Sequence, residues 1–288
     1  MGMGILFALG ALISWGVGDF LIQRSSRKFG DGIALFFITA IGAIALLPLV
    51  WSDIPSMFTA SRTGLILWGT SLIMLAAALL DFEALRIGKI SVIEPIHSFE
   101  IVVTALLGTW LLHEQLTVQQ TVFIAVLVFG IFLVSMQRLK MSRIFKLERG
   151  VLLAIAATAM MGAVNFMFGV GARETNPLTI NWFISAFIAI VMAGYLTVFG
   201  EWHHIRRQWQ TNKPLIFSVG FMDNMAWIFY AYSTLTIPIA ITTAISESYI
   251  VLASLLGLWL NRERLHRHQF VGLIIAVAAA VTITMTLE

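Results

Sequence analysis

The sequence predicts an all-α integral membrane protein, with ten transmembrane helices arranged as two inverted five-helix repeats. Three observations predict it. First, hydrophobic residues make up 59% of the 288 residues and charged residues 11%, with a mean hydropathy of +0.91. A soluble domain carries about 45–50% apolar and about 25% charged residues, so this composition cannot clothe a water-facing surface. Second, the apolar residues fall into ten windows, each near the roughly 20 residues that a spanning helix needs. Third, the chain matches itself after a shift of 149 positions.

The windows follow in order. The first, near Met3–Gln23, lacks the basic stretch of a secretory leader and is read as a retained helix. Gly32–Trp51, Gly64–Leu85, Ile90–Leu112 and Val118–Met136 complete a first unit. Gly150–Ala172, Leu178–Phe199, Leu215–Leu235, Ile239–Leu260 and Gln269–Met285 form a second. The longest connections are Trp51–Thr63, the basic Gln137–Arg149 and the polar Gly200–Pro214. Residues 1–137 are therefore one repeat, 138–149 a basic linker and 150–288 the other repeat.

Lys and Arg orient the chain. Sixteen of the eighteen lie in the connections that follow windows one, three, five, seven and nine. The other face holds only Arg62 and Arg173. Cytoplasmic loops carry the excess of Lys and Arg. The expected location is a cell (inner) membrane, multi-pass, with both termini outside and the basic linker inside.

The repeat is most evident at the fourth helix of each unit. Leu106-Leu107-Gly108-Thr109-Trp110-Leu111 lies on Leu255-Leu256-Gly257-Leu258-Trp259-Leu260. Glu114, Leu116 and Gln120 fall on Glu263, Leu265 and Gln269. A shift of 146 aligns the first helices, with Ala8, Gly16 and Phe20 meeting Ala154, Gly162 and Phe166. Five is odd, so the second copy enters the membrane from the opposite side. Inverted repeats serve secondary transporters, which alternate access around a midplane site.

Glu94-Pro95, Leu106-Leu107-Gly108 and Glu114-Gln115-Leu116 together resemble the drug/metabolite transporter superfamily, EamA-like branch. The second unit keeps Gly257, Glu263, Leu265, Gln269 and Gly272, and Trp15-Gly16 is similar to the family's first-helix Trp-Gly. The chain departs from the pattern where His113 and Arg262 precede the turn glutamates, and where Thr243-Ala244 replaces Glu-Pro. The resemblance implies a ten-helix transporter of metabolites or amino acids, often an exporter. It also implies both termini in the cytoplasm, the reverse of what the charge distribution predicts.

Charged residues inside spanning windows cost about 2.5–3.5 kcal/mol or more and default to functional hypotheses. They are Asp19, Asp81, Glu83, Glu94, His97, Glu100, Asp223 and Glu247. Glu100, Asp223 and Glu247 lie deepest, while Asp19, Asp81 and Glu83 fall near helix ends on the basic side. Glu94 before Pro95 either caps a helix start or binds substrate. His97 is either a hydrogen-bond partner or a proton relay. Glu114 and Glu263 read as turn caps or helix contacts.

Under the repeat alignment the carboxylates of one half face Tyr230, Tyr249, Asn165 and other hydroxyls of the second. Trp15 and Trp227 are available to join them. Negative charge beside aromatic faces suits a cationic or zwitterionic amine. Burial disfavours the charged form of a carboxylate, so Glu247, Asp223 or Glu100 would alternate between a proton and the amine.

Other chemistries lack their motifs. There is no Cys, so no disulfide or thiolate chemistry. His113-Glu114 is followed at the needed place by Thr117, which breaks the H-E-x-x-H zinc pattern. The basic residues form no face interleaved with aromatics, so nucleic acid is not an expected partner. The reading is a non-enzymatic transporter without cofactor or metal, with a small-molecule substrate, the lipid bilayer and protons as partners, as monomer or homodimer. An uncoupled facilitator, a channel, and a lipid-handling or enzymatic membrane protein are the alternatives.

Overall fold

The structure is a computed structural model that describes residues 2–58, 61–87, 96–135, 149–252 and 266–286. Its helices are α1 (Met3–Phe29), α2 (Asp31–Val50), α3 (Ile54–Met57), α4 (Ser61–Ile87), α5 (Glu100–Leu111) and α6 (Val118–Ser135). After the linker come α7 (Arg149–Glu174), α8 (Pro177–Val198), α9 (Trp202–Thr211), α10 (Lys213–Thr234), α11 (Ile239–Ser246) and α12 (Arg267–Met285). α1, α2, α4, α7 and α8 are long and apolar enough to cross a membrane. α10 is a continuous helix of 22 residues whose apolar sequence is interrupted by Asp223-Asn224.

The long apolar helices bear apolar residues on all sides, because both their faces meet apolar surroundings. One side joins a continuous core, in which Ile101, Leu127, Phe168, Ile180 and Ile216 are fully buried. The other side leaves Ile44, Leu65, Val118, Ile190 and Val198 more than 70% exposed. Exposed apolar surface on this scale needs a lipid or protein covering.

The helices pair symmetrically. α1 packs on α10 and α4 on α7; α2 packs on α8, and α6 on α12. α5 leans on α7 as α11 leans on α1, and α5 meets α11. Exchanging the first unit (α1, α2, α4, α5, α6) for the second (α7, α8, α10, α11, α12) maps this set of pairs onto itself. Glycines allow two of the symmetric approaches. A Cβ on Gly162 would lie 2.9 Å from the Glu100 carbonyl oxygen, and one on Gly16 would lie 3.0 Å from Leu252. Thr104 Oγ1 donates to the exposed Gly162 carbonyl at 2.9 Å.

The helix start at α6 is a capping box. Thr117 Oγ1 accepts from Gln120 N at 3.1 Å while Gln120 Oε1 accepts from Thr117 N at 3.0 Å. Gln269 Oε1 likewise accepts from His266 N at 2.9 Å before α12.

Three expectations change. The first window was expected to end near Gln23, but α1 runs to Phe29, so Asp19 sits ten residues from its end, about 15 Å inward. A 27-residue helix spans about 40 Å, longer than the hydrocarbon core, and its last turns carry Arg24, Arg27 and Lys28 out of it. The polar Gly200–Pro214 connection contains a helix, α9, whose Trp202 and Trp209 pack on Phe36 and Phe37 with ring centroids 5.7 and 6.2 Å apart. Finally, the fourth and ninth windows were expected as continuous helices. Both are broken, at Ser98-Phe99 and at Glu247-Ser248. The linker, Glu94-Pro95 and the Glu263 turn lie outside the described residues.

Candidate functional site

The two helix breaks fall on equivalent positions under the shift of 149, and their backbone bonding repeats as well. Phe99 N donates to Ile96 O at 3.1 Å, and Ser248 N to Ile245 O at 3.2 Å. Val102 N donates to Phe99 O at 3.0 Å, and Val251 N to Ser248 O at 2.9 Å. These tight three-residue closures replace the regular ladder for one turn. One break is followed by Glu100 and the other contains Glu247, so each carries a carboxylate where the helix is interrupted.

Both breaks border one central cavity of about 100 Å³. α1 contributes Trp15 and Asp19, α4 contributes Asp81, and the first break contributes His97 and Glu100. From the second unit come Asn165 on α7, Asp223 and Trp227 on α10, and Glu247 and Tyr249 at the second break. Ten of the twelve residues singled out in the sequence therefore face one space. Glu94 lies outside the described residues. Tyr230 stands one layer behind the wall, fully buried, with its hydroxyl donating to Asn165 O at 2.9 Å and bonded to Thr243 Oγ1 at 2.8 Å.

The polar groups approach one another both across the repeats and within them. Asn165 Nδ2 donates to Glu100 Oε2 at 3.4 Å and lines the same cavity as Glu247. Tyr249 hydrogen-bonds Asp19. His97 Nε2 lies 3.2 Å from Asp81 Oδ1. One wall is aromatic: Trp15 meets Trp227 edge-on, with centroids 5.1 Å apart and planes at 87°. Phe168 covers Trp227 at 4.6 Å.

A neutral polar set that sequence reasoning passed over lines the cavity too. Asn181, Ser185 and Thr39 face it. Asn224, just behind, accepts from Asn181 Nδ2 at 3.3 Å and Ser185 Oγ at 3.4 Å, and donates to Ile38 O and Gly220 O at 3.1 and 2.8 Å. Gly42 makes the room, since a Cβ there would collide with the Asn224 amide. The signal is a set of amides and hydroxyls in apolar windows, which fall at no position equivalent to a charged residue of the other repeat.

Glu83 does not face this cavity. It lines a wider one of about 640 Å³ beside the α1–α2 turn, with Asp31, Glu201 and His204, at the face that carries the basic connections. Glu114 contacts neither cavity. Its Oε1 accepts from Arg173 Nη1 at 3.0 Å and from Ile239 N, the first residue of α11, at 3.0 Å, so it is both a helix cap and a helix contact. Among the described residues, no set of three or more His, Asp or Glu is placed to hold a metal ion.

The model of the EamA-like transporter family matches residues 2–136 and again 148–285. Among curated protein sequences none matches. One solved structure, described only as the crystal structure of a protein, superposes with a TM-score of 0.71. It is 14% identical, and the match covers 99% of this chain and 96% of that one, which shows a shared fold.

Proposed function

The chain belongs to the EamA-like transporter family, and from that premise we propose that it carries a small amine-bearing metabolite across a membrane in exchange for protons. It is a multi-pass membrane protein and a transporter of small molecules by family. The amine, the proton and the alternating-access mechanism are the reading offered here. The single observation that carries it is the cavity between the two broken helices, where five carboxylates meet an aromatic wall.

Broken helices at equivalent positions of two repeats are where transporters of this architecture place substrate and coupling ions. A break frees backbone groups and interrupts the helix near the middle of the bilayer. Here each break delivers a carboxylate as well. Five carboxylates cannot all stay charged in one small, buried space. They hold protons, or they hold a cation that replaces those protons. Mutual exclusion of proton and ammonium at Glu247 is the elementary step of exchange. Asp19, Asp81, Glu100, Asp223, His97 and Tyr249 surround the same space and share its charge. Trp15 and Trp227 offer ring faces to the ammonium.

The two repeats, each of five helices, pass through the bilayer in opposite senses in this reading. Rocking of one unit against the other moves the cavity's opening between faces. Orientation follows Lys and Arg, with the basic face inside and both termini outside.

Ligand-induced melting shifts of detergent-purified protein test the substrate class. Amines should raise the melting temperature of the wild type, and Glu247→Gln should abolish most of that rise while folding normally. Shifts from organic anions alone would remove the amine reading and leave the family fold.

A further inference from the structure

We propose, as a refinement resting on the amine-transport reading above, that the central cavity takes an organic cation bearing no carboxylate. Among the described residues, Asp19, Asp81, Glu100, Asp223 and Glu247 line the space with no Lys or Arg, and its one basic side chain, His97, already lies 3.2 Å from Asp81. An amino acid would bring a carboxylate that needs a cation, a free amide or an open helix N-terminus. The N-terminus of α5 already carries Glu100 in its first turn, where a carboxylate meets the positive end of the helix. The Asn165 amide donates to Glu100, and the Asn181 amide donates to Asn224. Where a bound ammonium has displaced the protons, the carboxylates are charged, so a substrate carboxylate beside them meets like charge, while the ammonium meets acceptors and ring faces. The carboxylates are also not grouped as metal ligands among the described residues, which favours an extended organic cation over a metal ion.

Matched pairs that differ by one carboxylate test this. Agmatine is compared with arginine, and putrescine with ornithine, by melting shift and competition on the purified full chain. The carboxylate-free partner should bind about tenfold or more tightly, because like charges placed together are strongly disfavoured. Equal or tighter binding of the amino acids overturns the refinement but keeps the amine reading. Binding of anions with no response to either pair overturns both.

A separate observation carries a second proposal: we infer that Glu114 and Arg173 form the latch that closes the face opposite the basic connections. Arg173 sits in the last turn of α7 and is one of only two basic residues expected on that face. It donates to Glu114 Oε1 at 3.0 Å, to Thr234 O at 2.7 Å and to Ile237 O at 3.2 Å. Glu114 in turn holds Ile239 N. One ion pair thus joins the α5–α6 turn, α7, α10 and α11. Behind it lie Tyr230 with Thr243, and Ser233 with Thr242 at 3.0 Å, then the cavity wall. At the basic face, Arg27, the counterpart of Arg173 under the shift of 146, is exposed beside the α1–α2 turn.

The chain has no Cys, so Ser185→Cys on the cavity wall is a single reporter. An impermeant maleimide is applied to vesicles of each orientation. Labelling should come from the basic face, and adding Glu114→Gln should raise labelling from the opposite face roughly tenfold, the order expected for one charge-assisted bond. Glu114→Gln keeps an acceptor for Ile239 N, and Arg173→Lys provides a second, milder variant. Unchanged labelling ratios in both folded variants overturn the latch.

Discussion

Asn165 shows how a single side chain joins the two repeats. From the second repeat its amide donates to Glu100 at the helix break of the first, and its backbone carbonyl accepts from Tyr230. Asn165→Leu removes that donor and leaves the buried carboxylates of the cavity with one hydrogen bond fewer. A loss of about 1–3 kcal/mol is expected, read as a lower melting temperature at neutral pH. Retained stability would mean that water serves these carboxylates instead. Most of this set was legible because a charge in an apolar window is costly and stands out. Asn181, Ser185, Asn224 and Thr39 were not, because neutral polar residues occur in spanning helices for many reasons. Only their convergence on one space distinguishes them, and convergence is a property of packing.

At the scale of the element, hydropathy located the windows but could not see the breaks. Ser98-Phe99 and Glu247-Ser248 contain no Pro or Gly, so nothing local marks them. Their equivalence under the repeat shift was available in the residue numbers, yet meaningful only once both were seen to be broken. α9 was hidden for the opposite reason. Its His, Arg and Gln residues lower its hydropathy, although Trp202, Ile205 and Trp209 recur at helical spacing.

The capping glutamines make a prediction about elements. Gln120→Ala should cost about 0.5–2 kcal/mol through the lost cap on α6. Gln269→Ala should cost more, because Gln269 Nε2 donates to buried Val134 O at 3.0 Å, whereas Gln120 Nε2 reaches Thr286 Oγ1 only at 3.4 Å. Melting temperatures of the two variants, measured in the same detergent, rank them.

Over the whole molecule, the pairing of α1 with α10 and α4 with α7 sets helices of one repeat against the other, and the cavity lies where they meet. Neither α6 nor α12 lines it; they pack together at the side. The two basic residues on the sparsely charged face are both engaged: Arg173 with Glu114, and Arg62 with Glu174 at 3.0 Å. Residues held in ion pairs leave the charge asymmetry between faces intact. Impermeant maleimide on intact cells should therefore label Ser52→Cys and spare Gln210→Cys on α9. The reverse pattern would invert the orientation, and with it the sense of the latch.

The most direct measurement is proton movement driven by an amine gradient in proteoliposomes carrying a pH-sensitive dye. Wild-type protein should alkalinise or acidify the lumen as the direction of the agmatine gradient dictates, one face against the other. Glu247→Gln should lose that coupled signal while the protein remains folded. An unchanged signal in Glu247→Gln, or amine flux with no proton movement in the wild type, would contradict exchange at the broken helices.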